Sequence, residues 1–265
     1  MISENDYSGR ARIYDREFAV RDDFGLLRRV LAGPPGLVID APSGAGRLLD
    51  LHAKHRHPVI LVDLEPAMVA RCRQGIAARN LWPRVTAVHG DIRTWVPSQP
   101  ADRTIIARGG LQVLPSPQAA AEAVLRSAAN MAHQGILYID IAVPWALSPA
   151  TFHDLPVFMR FADGSELRGH TLIDLGDGTA VRRSHSSVLT ADRVIADFRY
   201  EHTGRPRDDC GDFTARTSWV RIDPDQLRQS LASHGLAIMA TLGDYAGKPY
   251  TASSSRFICV AVRRE

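Results

Sequence analysis

The chain has 265 residues, of which 45% are hydrophobic and 23% charged, and a formal net charge of +3. This length suits one larger α/β domain or a core domain with an insertion. The small net charge without a basic block disfavours a nucleic-acid partner, and no run approaches the ~20 apolar residues of a membrane helix. The N-terminus has no signal-peptide apolar region, and three widely spaced cysteines favour neither disulfides nor a CxxC metal site, so we expect a cytoplasmic protein.

The first half of the chain alternates predicted helices with strands that are apolar almost throughout. The predicted strands are LVIDA at 37–41, PVILVD at 58–63, RVTAVHGD at 84–91, DRTIIAR at 102–108 and GILYIDIAV at 135–143. The predicted helices are 10–32, 46–55, 66–79 and 116–133. Strands of this kind separated by helices predict a doubly wound parallel sheet covered on both faces.

The pattern changes after Pro144. Residues 155–221 alternate polar and apolar side chains between turn signals, which predicts antiparallel, half-exposed strands. A helix capped by Asp223 and ended by Gly235 follows, and then a final pair of strands. The predicted fold is an α/β, Rossmann-like seven-stranded sheet with a C-terminal β-hairpin and an antiparallel β insertion after strand five. We therefore divide the chain into an N-terminal helical cap at 1–35, a core at 36–144 and 222–265, and an insertion at 145–221.

A glycine-rich turn, in VIDAPSGAGRLL, joins the first strand to the next helix. No Lys-Ser/Thr follows its glycines, which excludes a P-loop, and Leu49 replaces the third glycine of a dinucleotide motif. Asp40 would repel a pyrophosphate at the end of this strand and attract a cation. Asp63 ends the second strand, where an acid binds ribose hydroxyls in such sheets. The order of acid and glycines points to S-adenosylmethionine (SAM), a sulfonium with an ammonium group and no phosphate, although either acid could simply cap the following helix.

Four stretches resemble, in order, the class I SAM-dependent methyltransferases over about residues 10–143. They are VIDAPSGAGRLL, VILVDLEPAMV, VHGDIRTW and the segment 107–144, and the final strand pair resembles the reversed hairpin of that family. The resemblance implies that the glycine-rich stretch holds the methionine part of SAM, the second strand's acid the ribose, and the following positions the adenine. The cofactor residues implied by position are Asp40, Ala41, Ser43, Gly44, Gly46, Asp63, Leu64, Met68, Asp91 and Ile92. Pro42, where the family often has glycine or alanine, donates no backbone N–H.

Within that family, IYDREF at 13–18 and the β insertion are similar to glycine N-methyltransferase-like enzymes and to amino-sugar N-methyltransferases. The resemblance implies methyl transfer from SAM to nitrogen or oxygen of a small molecule in secondary metabolism, with S-adenosylhomocysteine (SAH) as product. A non-methylating cyclisation, decarboxylation or pericyclic reaction on the same fold is the alternative. An NAD(P)-dependent oxidoreductase and a non-catalytic binding module are more distant ones.

Methyl transfer requires an oriented acceptor, exclusion of water and, for some acceptors, a base. Tyr14 and His153 are the candidate catalytic residues. Tyr14, Trp145 and Phe152 are expected to line the acceptor site, because they lie in the N-terminal segment or after strand five. Arg108 follows strand four and is a candidate for the SAM carboxylate or an acidic substrate. Each has a plainer interpretation: a packing residue for Tyr14, an ion pair for Arg108 and a structural or exposed histidine for His153.

Three histidines in LHAKHRH, at positions 52, 55 and 57, raise the possibility of a metal site. No carboxylate or cysteine joins them in sequence, and His52 and His55 lie at the end of the helix that is remote from the glycine turn. We therefore expect a solvated helix end and no metal. The insertion at 145–221 is expected to form a lid over the acceptor site and is a candidate contact for a homo-oligomer.

Overall fold

The computed structural model describes residue 5 and residues 7–145, 159, 167–176, 178–203 and 211–264. Phe152 and His153 lie outside these described residues. No helix in the described part is long and apolar enough to cross a membrane.

Eleven strands are present in the described chain. They are β1 (Val38–Asp40), β2 (Val59–Asp63), β3 (Val85–His89), β4 (Ala101–Ile106), β5 (Met131–Ala142), β6 (Leu167–Asp174), β7 (Ala180–Leu189), β8 (Arg193–Thr203), β9 (Phe213–Val220), β10 (Leu236–Leu242) and β11 (Arg256–Arg263). Six helices accompany them: α1 (Tyr14–Glu17), α2 (Phe24–Val30), α3 (Leu49–His52), α4 (Pro66–Ala78), α5 (Pro117–Ala129) and α6 (Pro224–Ser233).

The larger sheet has seven strands in the order β10-β11-β5-β4-β1-β2-β3. Strands β1 to β5 are parallel, whereas β11 runs antiparallel to β5 and β10 antiparallel to β11. Strand β1 lies between β2 and β4, so the chain crosses to the other side of the sheet there. Ligands bind at the carboxyl ends of the strands at such a switch point. The predicted doubly wound sheet with a C-terminal hairpin is confirmed.

The second sheet is antiparallel, in the order β6-β7-β8-β9, and confirms the predicted insertion of antiparallel strands. Its strands alternate in burial: on β8, Val194, Ala196, Phe198 and Tyr200 are buried and face a common apolar cluster. This alternation explains the polar–apolar pattern of the sequence, because only one face of the sheet is covered. The boundaries of the three predicted domains remain a prediction.

The N-terminal segment departs from its prediction, because the single helix expected over 10–32 is replaced by α1 and α2. Asp23, at the N-cap of α2, makes no capping bond and instead binds the Arg47 guanidinium through both carboxylate oxygens, at 2.7 and 2.6 Å. Glu17, at the end of α1, is held by buried arginines. These ion pairs hold the two short helices separately. They join residues that are distant in sequence, so the apolar periodicity of residues 10–32 does not predict them.

Helices α4 and α6 begin and end close to their predicted positions, whereas α5 ends at Ala129 and not at 133, because β5 already begins at Met131. Glu65 and Ser116 cap α4 and α5 through their side chains. The Asp223 carboxylate accepts the N–H groups of Asp225 and Gln226 at the start of α6, and Gly235 follows its end with φ of +75°. The helix expected over 46–55 is shorter, since α3 makes one turn only.

Candidate active site

The glycine turn after β1 is tied to the end of β2 by backbone hydrogen bonds. The Ser43 N–H donates to the Val62 carbonyl at 2.9 Å, and the Gly44 N–H donates to Asp63 Oδ2 at 2.7 Å. Asp63 Oδ1 accepts the Glu65 N–H at 3.0 Å. Both oxygens of Asp63 are thereby fixed, so its carboxylate is held at the carboxyl edge of the sheet before any ligand arrives.

Close packing around the glycine turn restricts its backbone conformation, and burial changes the pKa of Asp63. Gly44 and Gly46 have φ of +55° and +87°, which favours glycine, and a Cβ on Gly46 would lie 2.7 Å from Leu49 Cδ1. The Cys72 thiol donates to the Gly44 carbonyl at 3.1 Å. Desolvation raises the pKa of Asp63 above its ordinary value, although the two backbone N–H donors act in the opposite direction.

A third acid lies after β3. The Asp91 carboxylate accepts hydrogen bonds from the Arg93 backbone N–H and from its guanidinium, the shortest being 2.6 Å. These bonds from Arg93 lower the pKa of Asp91, so the carboxylate is ionised at neutral pH. Asp40, Asp63 and Asp91 thus end β1 and β2 and follow β3, all on one edge of the sheet.

The three acids line one cavity of about 270 Å³. Most of the predicted cofactor residues line it: Asp40, Ser43, Gly44, Asp63, Leu64, Met68, Asp91, Ile92 and Arg108. Ala41 and Gly46 do not; Ala41 is buried and its N–H donates to the Ile105 carbonyl at 3.0 Å. These two residues shape the turn from beneath. Their assignment as cofactor contacts, like that of the residues lining the cavity, stays a prediction.

Aromatic side chains of the N-terminal segment cover the glycine turn. A Cβ placed on Gly44 would lie 3.1 Å from Tyr14 Cε1, so the Tyr14 ring lies directly against this turn. Tyr7 meets Tyr14 edge-on with ring centroids 6.0 Å apart, and Phe18 packs on its other side at 4.6 Å. Burial raises the pKa of Tyr14 well above 10, so its phenol is protonated at neutral pH and is a hydrogen-bond donor rather than a base.

His52 contradicts the expectation of a solvated helix end. Its side chain is only 1% exposed, and its Nε2 lies 3.2 Å from Asp40 Oδ2. His57 is also buried, accepting the Gly36 N–H at Nδ1 and contacting the Leu31 carbonyl through Nε2 at 2.8 Å. His52 follows buried Leu48 by four residues, a spacing that places both side chains on the same, inner side of the chain. That spacing was the available signal.

None of these histidines belongs to a metal centre in the described part of the chain, where no group of three or more His, Cys, Asp or Glu side chains could hold an ion. His52 binds a carboxylate and His57 binds backbone groups. Their burial therefore has a structural cause in hydrogen bonding.

Arg108 lies at the cavity wall with φ of +50°, and its side chain forms an ion pair with Asp22. The guanidinium also approaches Asp23 at 3.7 Å and packs over the Tyr245 ring at 5.0 Å. The expected ion pair of Arg108 is thus present within the cavity wall. Arg47, which the sequence reasoning missed, shares Asp23 and lines the same cavity.

The other end of the cavity is formed by the N-terminal segment and the insertion. Its described lining residues include Asn5, Tyr7, Arg10, Phe18, Met159 and Trp219. Trp145 does not line the cavity: its indole N–H donates to the Thr190 carbonyl at 2.8 Å. Trp219 lines it instead. The place of Trp145 in an acceptor site stays a prediction, as do those of Phe152 and His153 outside the described residues.

A buried ionic cluster fixes this end. The Arg10 guanidinium donates to Glu17 at 3.0 and 3.3 Å and to Thr217 at 2.7 Å. Arg183 and the Tyr200 hydroxyl each donate to the same Glu17 carboxylate at 2.8 Å. Burial alone would raise the pKa of Glu17, but the two arginines outweigh it and lower the pKa below its ordinary value. Residues from α1, β7, β8 and β9 thereby hold the N-terminal segment against the second sheet.

Comparison with known families adds to this geometry. Residues 38–135 match a family model described as a methyltransferase domain. Residues 38–135 are therefore similar in sequence to a methyltransferase domain. The matched segment includes the glycine turn and the acids that end β1 and β2 or follow β3. A sequence comparison with curated proteins finds no match.

Solved structures share the fold of this chain along nearly its whole length. A SAM-dependent methyltransferase from Clostridium acetobutylicum matches with a TM-score of 0.73 at 15% identity, covering 98% of this chain and 99% of that one. The sugar N-methyltransferase KedS8 from a Streptoalloteichus species matches at 0.70 and 22% identity, covering 95% and 92%. SAM-bound CalS10 from Micromonospora echinaspora, an amino pentose methyltransferase of calicheamicin biosynthesis, matches at 0.65 and 20%, covering 94% of both. The predicted resemblance to class I methyltransferases is confirmed in fold.

Proposed function

We propose that this protein is a SAM-dependent methyltransferase that methylates a nitrogen or oxygen of a small molecule. The observation that carries the proposal is one cavity in which three carboxylates at the carboxyl edge of the sheet face an aromatic cover. Asp40, Asp63 and Asp91 occupy these positions, and Tyr14 lies against the glycine turn between them. The match of residues 38–135 to a methyltransferase domain supports the same activity.

The residues fit the parts of SAM without leaving a charge unmatched. Asp63, fixed by two backbone N–H groups, has lone pairs left for ribose hydroxyls. Leu64, which is 57% exposed, and buried Met68 offer apolar surface for the adenine ring, and Asp91 can accept its amino group. SAM, when bound, supplies a methyl carbon already activated by the sulfonium. Phosphate-bearing nucleotides are disfavoured, because the same edge presents carboxylates.

The methionine end of SAM carries both a cation and an anion, and the cavity wall has both complements. Asp40 suits the ammonium group, whereas Arg47 and Arg108 suit the carboxylate. Both arginines are already paired with Asp22 or Asp23, which holds their guanidinium groups in place. An arginine has five N–H donors, so these pairs leave donors for a ligand.

At the end of the cavity formed by the N-terminal segment and the insertion, methyl transfer depends on the position of the acceptor and not on a strong base. The described residues there present aromatic faces, an amide and the Arg10 guanidinium. In-line displacement needs a lone pair aligned with the methyl group and a site without competing water. Tyr14, held in its protonated form, can hydrogen-bond an acceptor heteroatom and orient it. We also propose that the insertion at 145–221 is the lid over this end, and that it forms an oligomer contact.

The similarity in fold to a sugar N-methyltransferase and to an amino pentose methyltransferase favours an amine acceptor. An amine that enters the site uncharged already has the lone pair it needs, so no protein base is required. We therefore rank nitrogen above oxygen as the methylated atom. We also propose that the enzyme acts in the cytoplasm, in secondary metabolism.

Two measurements test the function. Calorimetry with SAM and with SAH should show binding of both, and absence of binding at millimolar concentration would refute the proposal. SAM incubated with amino sugars, other small amines and phenols should give a product heavier by one CH₂ group for each methyl group transferred. A product formed without that mass gain would instead support the alternative of a non-methylating reaction on this fold.

A further inference from the structure

We propose that His52 is a positioning residue for the cofactor, which holds the Asp40 carboxylate ready for the ammonium group of the methionine part. This inference rests on the proposed function, because it assigns a role to a residue behind the same site. His52 itself does not line the cavity. It acts through Asp40, which does.

The geometry places Asp40 between two environments. Its Oδ2 contacts His52 Nε2 at 3.2 Å on the buried side. Its Oδ1 accepts no hydrogen bond from the residues that the structure describes, and the side chain lines the cavity. The Asp40 side chain is only 4% exposed, so little solvent competes with these contacts. One oxygen is therefore anchored and the other is available to a ligand.

The second ring nitrogen indicates how His52 bonds. Its Nδ1 is buried and has no hydrogen-bond partner in the described chain. A neutral ring with its proton on Nε2 leaves only a lone pair unsatisfied there, whereas an imidazolium would bury an unpaired N–H donor. The neutral ring donates from Nε2 to Asp40 and leaves the negative charge of the carboxylate intact. That charge is what a cationic ammonium group requires.

Other charged groups lie near His52 and Asp40. Arg84 donates to the His52 carbonyl at 3.2 Å, and His55 lies close enough to His52 to interact electrostatically. On the cavity side, Arg47 and Asp63 act on Asp40 with opposite signs. None of these groups donates to the Asp40 carboxylate, so His52 alone among the described residues orients it.

The test uses two ligands that differ in the amino-acid part. SAH carries the ammonium group, whereas 5′-methylthioadenosine keeps adenosine and the sulfur but lacks that group. Their dissociation constants are measured by calorimetry for the wild-type protein and for His52→Leu, His52→Gln and the control His55→Leu. Leucine removes the donor, and glutamine keeps an N–H donor at a position similar to Nε2 but cannot take up a proton.

We expect His52→Leu to bind SAH about tenfold more weakly, which is the lower range for a hydrogen bond to a charged group, and to bind 5′-methylthioadenosine as the wild type does. His52→Gln should retain SAH affinity. His55→Leu should match the wild type.

Equal weakening of both ligands in His52→Leu, or unchanged SAH binding, would overturn the inference. If the leucine variant does not fold, His52→Gln decides: we expect it to bind both ligands as the wild type does, and selectively weaker SAH binding would overturn the inference. Failure of the wild type to bind either ligand would instead refute the proposed function, which keeps the two failures distinct.

Discussion

Replacing Glu17 by glutamine tests whether the buried ionic cluster holds the N-terminal segment. The Glu17 side chain is fully buried and receives hydrogen bonds from Arg10, Arg183 and Tyr200. Glu17→Gln keeps the shape but removes the charge. Its amide nitrogen would also face donors, so part of the buried guanidinium charge would lose its partner.

The expected loss of unfolding free energy follows from the burial of this ion pair. Breaking a buried ion pair by removing one partner costs about 3–5 kcal/mol. Glutamine keeps one acceptor oxygen, so we take the lower value of about 3 kcal/mol of unfolding free energy. For a chain of this size that corresponds to a fall in melting temperature of roughly 6–12 °C.

The lowered pKa of Glu17 determines how the stability of the folded protein changes with pH. Because the pKa of Glu17 is lowered in the folded protein, its ionisation stabilises the fold above the unfolded pKa of about 4.3. That contribution is lost as the pH falls through the lower, folded pKa. The stability difference between wild type and Glu17→Gln should therefore be constant above about pH 5 and shrink below about pH 4.

Thermal and urea unfolding of the two proteins, followed by circular dichroism from about pH 3 to about pH 7, measure both effects. Glu122→Gln, on the exposed face of α5, is the matched control and should stay within about 0.5 kcal/mol of the wild type. A Glu17→Gln protein as stable as this control at neutral pH would refute the reasoning. So would a stability difference that grows in acid.

Three further substitutions test the site. Asp63→Asn should weaken SAH binding by roughly tenfold or more in calorimetry, because its amide cannot accept both backbone N–H groups; unchanged affinity would contradict the assigned role. Gly46→Ala should lower the unfolding free energy by about 1–2 kcal/mol, since φ of +87° disfavours a side chain, and an unchanged urea midpoint would count against this. Tyr14→Phe should lower kcat without changing the shape of the pH–rate profile between about pH 7 and about pH 9, because burial raises the pKa of Tyr14; loss of an alkaline limb would instead identify a base.

The sheet and the acids of the site could be predicted because their signals are local. Apolar strands separated by helices specify a parallel sheet, and the carboxyl ends of such strands meet at one edge. Asp40, Asp63 and Asp91 each end or follow a strand, so predicting the strands also placed the acids. The common cavity that they line agrees with that expectation.

The remaining features depend on residues that are distant in sequence. Arg10 meets Thr217 across a separation of 207 residues, and Arg183 meets Glu17 across 166. No periodicity in either segment announces such a contact. His52 was misjudged for a related reason: its burial involves a contact with Asp40, 12 residues earlier in the chain, which the pattern of the helix does not contain.

The cavity has two ends built from different parts of the chain, and this has a consequence for how its selectivity can change. Strand ends and the glycine turn form one end, whereas side chains such as Met159 and Trp219 form the other. Substitutions at the second set leave the backbone of the first untouched. The range of acceptors of such an enzyme can therefore change, by natural drift or by directed evolution, while the binding site for the methyl donor stays the same.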